Sequence, residues 1–268
     1  MRKIKVSTLF LILFFAAELA AILTNALSLH YDTQQAAAQE FMWYYLPHDE
    51  EEQPEPMEKA GYLKDYDVLY VGSSDKKVIY LTFDDCPEND NIPSLLDVLE
   101  KHHAPAAFFM TELFIRKHPD LIRRIDRDGY LVCNHTANHV SVTRLSYEKF
   151  KAEIKGVEDA FREVTGRELA KYFRPPQGKF NESSLSYAEE LGYTTVFWSF
   201  RYVDWEVNNQ PSEDTAYNTI MRETHPGEIV LLHCQSKTNV NVLDRVLTSW
   251  EQQGYSFGSL DDLEKRRV

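Results

Sequence analysis

From Lys76 onward, short β-branched and aromatic runs alternate with amphipathic stretches, and this rhythm restricts the chain to one class of architecture. Residues 78–83, 106–110, 130–133, 172–174, 194–199, 228–233 and 255–257 read as strands. Helical patterns fill the intervals, over residues 116–128, 146–164, 181–191, 212–223 and 240–253. In the second of these, Phe150, Ile154, Val157, Phe161 and Val164 recur at alternating steps of four and three, the period of a buried helix face. Ser146 and Asn181 are placed as N-caps, and Gly129 and Gly166 as helix stops. About seven β/α units predict parallel strands closing into a barrel. Chemistry in such barrels sits at the C-terminal ends of the strands.

The chain has 268 residues, enough for one large barrel, and a net charge of −13, which argues against nucleic acid as a partner. An acidic protein is not drawn to an anionic polymer as a whole, so recognition of any such substrate must be local. The three cysteines, Cys86, Cys133 and Cys234, form no disulfide framework and read as small thiols beside a site. Arg2, Lys3 and Lys5 precede an apolar run over residues 6–17. Residues 1–30 therefore read as a signal peptide or an uncleaved membrane anchor, and the rest as exported. Residues 31–75 read as a connecting extension with an acidic, proline-bearing run at 49–56. Its aromatic patch, residues 41–45, is a candidate for packing on the domain that follows, residues 76–268.

Every polar motif falls at a predicted strand end. Strand 78–83 runs into Asp84 and Asp85, then Cys86 and Pro87. Adjacent strand residues point to opposite sides, so two neighbouring carboxylates share a site only where the strand breaks, which Pro87 and the polar run after it supply. One metal ligand beside one proton acceptor suits the pair; a solvated turn is the alternative. His135 and His139 read as one helical turn apart on one face, both reaching one ion with Asp85 as third ligand; a chance pair on the surface is the alternative. Arg174 precedes two prolines, which forbid helix and leave a rigid turn. It is either a surface residue or a guanidinium that keeps a carboxylate ionised. His233 ends strand 228–233; it is structural or, with a carboxylate such as Asp204 to raise its pKa, an acid catalyst.

The ordered set Thr82-Phe83-Asp84-Asp85, His135-Thr136-x-x-His139, Arg174-Pro175-Pro176-x-Gly178, Asp204-Trp205 and Leu231-x-His233 resembles the five motifs of the polysaccharide deacetylases with the NodB-like domain, over roughly residues 76–263. Tyr172-Phe-Arg-Pro-Pro, Tyr202-Val-Asp-Trp and His225-Pro-Gly look most like the delta-lactam-biosynthetic de-N-acetylases, which act on N-acetylmuramic acid in spore-cortex peptidoglycan. The resemblance implies an α/β fold, a distorted (β/α) barrel. It implies a divalent metal, zinc foremost, on Asp85, His135 and His139; Asp84 as general base held by Arg174; and His233 as general acid supported by Asp204. Gln177 would supply a backbone N–H to the oxyanion, and Trp205 and Leu231 would wall the pocket. The expected partner is the peptidoglycan glycan strand.

Two departures from that pattern matter. Cys86 stands where a glycine usually follows the paired aspartates, and Gln177 stands where that branch often carries an arginine suited to the lactyl carboxylate. Arg201, near Asp204, is the candidate to take over that contact. N-acetylglucosamine or chitin-like chains are the competing substrates, and a wall-binding barrel without turnover is the competing class.

Overall fold

The computed structural model describes residues 18, 40–46, 52–56, 61–84 and 91–263. The expected leader, Asp85 and Cys86 lie outside the described residues. Eleven strands and seven α-helices follow in chain order among the described residues. β1 (Phe41–Met42) and β2 (Val68–Leu69) precede β3 (Val78–Asp84), α1 (Ile92–Lys101) and β4 (Ala106–Met110). Then come α2 (Glu112–Lys117), α3 (Pro119–Arg127), β5 (Leu131–Asn134), α4 (Tyr147–Thr165), β6 (Tyr172–Phe173) and β7 (Lys179–Phe180). The chain continues through α5 (Glu182–Glu190), β8 (Thr194–Val196), β9 (Phe200–Arg201), α6 (Glu213–Glu223), β10 (Ile229–His233), α7 (Lys237–Gln252) and β11 (Ser256–Phe257).

The main sheet runs β2-β8-β6-β5-β4-β3-β10-β9, with β11 also on β3, and each pairing is parallel. The sheet curls into a distorted half-barrel, as the strand–helix rhythm predicts, but among the described residues it stays open between β2 and β9. Its irregularity has a local cause. The predicted strand 194–199 stops at Val196 as β8, between β2 and β6, and the next strand, β9, lies beside β10 on the far side of the sheet. Residues 197–199 carry the chain across the gap, and their carbonyls serve side chains instead of a ladder: Phe197 accepts from Arg174 and Trp198 from Trp43.

Alternation along β3 sorts its side chains. Ile79, Leu81 and Phe83 join the apolar layer under the helices, with Leu95, Leu99, Phe161, Val246 and Trp250 among their companions. Tyr80, Thr82 and Asp84 are the alternate positions and point to the barrel interior, where Phe109, Cys133 and Val196 pack around Tyr80. The helix expected over 116–128 breaks in two at Pro119, which has no N–H to continue the α2 ladder. α1 was not anticipated, although its buried Ile92, Leu95, Leu96 and Leu99 follow the helical period.

The sheet begins before Lys76, at Val68, and the stretch before it is built into the fold. β1 pairs antiparallel with β7, and Trp43, 1% exposed, stacks on Phe197 with ring centroids 4.5 Å apart. Its indole N–H donates to the Trp198 carbonyl at 2.8 Å. Within the acidic run, Pro56 bridges to Tyr45, and Gln53 donates to the carbonyls of Gly72 and Pro226. The turn that receives Trp43 needs glycine: Gly178 has φ +67, and an added Cβ would lie 2.8 Å from the Trp198 ring.

Trp43→Ala should lower unfolding free energy by about 3–5 kcal/mol, the range for emptying a buried aromatic site. A denaturation midpoint indistinguishable from that of the parent chain would show that residues 40–46 only rest on the barrel.

Candidate active site

The register of two strands sets the site. Asp84 lies directly opposite His233 across the β3–β10 pair, both at strand C-termini and both on the interior face. Arg174, the residue after β6, is fully buried and spends its guanidinium on this corner. Nη1 donates to Asp84 Oδ1 at 2.7 Å, Nη2 to Thr82 Oγ1 at 2.8 Å and Nε to the Val196 carbonyl at 3.1 Å. The Phe109 ring lies 4.1 Å from Arg174 Cζ. Burial opposes a charged Asp84, but the Arg174 charge and hydrogen bond, joined in acid by protonated His135 and His233, outweigh it and hold the carboxyl below its usual range. Asp84 is therefore an ionised base at neutral pH.

The two histidines meet by a different route from the one predicted. Residues 135–140 are not helical: Thr136 has φ 67 and His139 φ 52, left-handed values that end any helical turn. The loop nonetheless brings the rings to 5.0 Å between centroids. The Nδ1 of His135 lies 2.8 Å from the Arg174 carbonyl, which can only accept, so the proton is on Nδ1 and Nε2 keeps its lone pair. Nε2 faces Asp84 Oδ2 at 3.6 Å. Burial drives the His135 pKa down to about 4 and lowers that of His139, so both rings are neutral, the form that binds metal. Two neutral imidazoles with an ionised carboxylate nearby supply part of a donor set that a divalent cation fits. Among the described residues no three His, Cys, Asp or Glu side chains complete an ion site, and the third expected ligand, Asp85, is outside them.

His233 has its own carboxylate. Its Nδ1 donates to Asp204 Oδ1 at 2.7 Å and its backbone N–H to Oδ2 at 2.8 Å. Asp204 is fully buried, and Asn239 from the first turn of α7 donates to the same Oδ2 at 2.6 Å. Burial disfavours the charged ring, yet the Asp204 charge and hydrogen bond win and raise the His233 pKa. Asp84 and His233 are thus neighbours pushed apart in proton affinity, which is how a site assigns base and acid.

These groups open into a cleft of about 770 Å³. Leu231 is buried in its wall, Trp205 is 36% exposed and packs edge-on to His233, and Gln177 lines it from a left-handed backbone position. Met42 and Tyr44 form a wall that the sequence did not assign to the site. Thr82 and Asn239 were missed too. Thr82 carried a signal, since it lies two residues before Asp84 on the same strand face; Asn239 carried one as a buried amide on the apolar face of a helix. Cys133 and Cys234 are buried thiols, with Cys133 pushed up by burial, and neither is a nucleophile.

Arg174→Met should destabilise the chain by about 3–5 kcal/mol, because it leaves Asp84 buried and unpaired. Adding Asp84→Asn should recover part of that loss, and additive losses in the double variant would contradict the pairing.

The sequence profile of the polysaccharide deacetylase family matches residues 72–196. An uncharacterised protein of Geobacillus stearothermophilus is 43% identical over 77% of this chain and 78% of its own. The peptidoglycan-N-acetylmuramic acid deacetylase PdaA of Bacillus subtilis is 40% identical over 75% of this chain and 76% of its own. The solved structure of that Bacillus subtilis protein, described as a family 4 carbohydrate esterase, superposes with a TM-score of 0.81 at 37% identity, covering 84% of this chain and 97% of the other. The chain belongs to the polysaccharide deacetylase family, hydrolases that act on carbon–nitrogen bonds other than peptide bonds.

Proposed function

We propose that the chain removes the acetyl group from amino sugars of peptidoglycan, N-acetylmuramic acid foremost, outside the cytoplasmic membrane. The observation that carries this reading is the side-by-side placement of Asp84 and His233 on paired strands, each with a buried partner that sets its protonation state. The similarity to the Bacillus subtilis muramic acid deacetylase supports the choice of sugar, and the basic start and apolar run of residues 1–17 support export.

The reaction consumes water and releases acetate and a free amine. His135 and His139, with Asp85, would hold a divalent cation, zinc being our choice for an imidazole-rich set. The chemistry such an ion supplies when bound is polarisation of the acetyl carbonyl and a lowered pKa for water, toward about 7. Asp84 takes the proton of the attacking water, and the Arg174 hydrogen bond keeps it oriented and ionised until then. The Gln177 N–H is the donor we assign to the oxyanion. His233 gives its proton to the departing nitrogen, without which an amine is a poor leaving group. Leu231 and Trp205 exclude water around the acetyl methyl. On muramic acid the new amine lies beside the lactyl carboxyl of its own sugar, the pair from which a delta-lactam closes with loss of water in spore cortex.

Incubating the zinc-loaded full chain with peptide-free glycan strands should release acetate and lower the mass of muramic residues by one acetyl group. Acetyl loss confined to glucosamine would move the assignment to that sugar, and none from either would overturn the reading. His233→Ala should keep stoichiometric zinc while kcat falls by about 10²–10⁴; wild-type turnover in that variant would remove His233 as the acid.

The pH profile follows from the Asp204 pair. The working form of His233 is the protonated one, and its raised pKa extends that form to higher pH. Asp204→Asn removes the largest raising influence and leaves only that of Asp84 against burial, so the pKa falls. The alkaline limb of kcat should therefore move to lower pH in Asp204→Asn, and an unmoved limb would assign it to another group.

A further inference from the structure

Arg201 is a cleft cation that the mechanism does not use. It stands opposite Leu231 in the β9–β10 register, and Leu231 and His233 share one strand face, so Arg201 opens into the same cleft. Its Cζ lies 5.2 Å from the centroid of Tyr44, 5.3 Å from Trp205 and 5.8 Å from Trp198. Trp205 is also the ring that packs against His233, at 5.6 Å between centroids. Among the described residues the Arg201 guanidinium forms no ion pair and donates no hydrogen bond. Arginines such as Arg116, Arg124 and Arg162 each hold a carboxylate.

The position is built, not incidental. β9 is an edge strand, and the Tyr45 hydroxyl takes the place of the missing neighbour. It accepts the Arg201 backbone N–H at 3.0 Å and donates to the Arg201 carbonyl at 3.1 Å. Tyr45 is held in turn by the Trp43 anchor and by the bridge to Pro56. Aromatic faces favour the cation and fix its plane, but they satisfy none of its N–H donors. A planar carboxylate satisfies them two at a time.

N-acetylmuramic acid differs from N-acetylglucosamine by a lactyl ether on the carbon next to the acetamido group, and so by one carboxylate. Two strand residues span about 6.6 Å, so Leu231 sets a short step between His233 and the strand position facing Arg201. The Arg201 side of the cleft, across Trp205 from His233, is one direction open to the neighbouring ether of a sugar whose acetamido group sits at Asp84 and His233. We propose that Arg201, caged by Tyr44, Trp198 and Trp205 and clamped by Tyr45, is the specificity residue that binds the lactyl carboxylate. The role rests on the peptidoglycan reading above and makes the segment 40–46 part of substrate selection. It also accounts for Gln177, which leaves the cleft without a cation at that turn.

The test compares three glycans: muramic with a free lactyl carboxyl, muramic with that carboxyl capped as its methyl amide, and N-acetylglucosamine oligomers. Acetate release gives kcat and KM for the full chain and for Arg201→Ala, Arg201→Lys, Tyr45→Phe and Lys117→Ala, Lys117 being another cation lining the cleft. Binding to the same glycans is measured by calorimetry in a His233→Ala background. Capping should weaken wild-type binding by about 10- to 100-fold, the worth of a hydrogen-bonded charge pair. Arg201→Ala should show that loss on the free carboxyl and no further loss on capping. Arg201→Lys should recover part of it, and Tyr45→Phe should raise KM on the free-carboxyl glycan more than it lowers kcat. Equal wild-type binding of capped and free muramic glycans, or a preference lost in Lys117→Ala and kept in Arg201→Ala, overturns the inference. Acetate release alongside that result leaves the deacetylase reading standing. Carboxylate-selective binding with no acetate released from any glycan leaves Arg201 standing and overturns the deacetylase reading.

Discussion

A buried ion pair at the end of one strand organises this molecule. Arg174 is fully buried and Asp84 nearly so, and such a pair is stable only when the remaining donors and acceptors are also satisfied. Thr82, Val196, Phe197 and the Phe109 face do that for Arg174. The same arginine offers its carbonyl to His135 and so fixes which ring nitrogen is bare. One residue therefore sets the ionisation of Asp84 and the tautomer of His135.

The barrel exists to bring these groups together. β3, β5, β6 and β10 are separated in sequence by helices, yet parallel pairing places all four C-termini on one rim. The strain is placed there too: Thr136, His139 and Gln177, three of the four left-handed non-glycine residues described, lie in the loops around the site. The opposite protonation preferences of Asp84 and His233 then follow from their partners, a guanidinium for one and a carboxylate for the other.

Much of this was legible in the sequence because the signals are local. The β/α rhythm, the N-cap at Asn181, the stop at Gly166 and the polar residues at strand ends each follow from a few neighbouring residues. What was not legible depends on distant contacts. Residues 194–199 read as one strand because Phe197 and Trp198 are good strand formers, yet the chain must cross from β8 to β9 there. Residues 41–45 read as a patch with no fixed address, since only the fold reveals that Phe197 and Gly178 receive Trp43. The histidine spacing suggested a helix face, whereas two left-handed residues produce the same convergence in a loop. α1 is local in the same way, since Ile92, Leu95, Leu96 and Leu99 recur at the helical period.

Two adjacent carboxylates would then divide the labour, Asp84 moving a proton and Asp85 holding the cation. Zinc titration by calorimetry, paired with acetate release, on Asp84→Asn and Asp85→Asn tests this division most directly. The account predicts that Asp84→Asn binds zinc near stoichiometry and releases no acetate, while Asp85→Asn loses zinc affinity. Loss of zinc in Asp84→Asn with full retention in Asp85→Asn would contradict it.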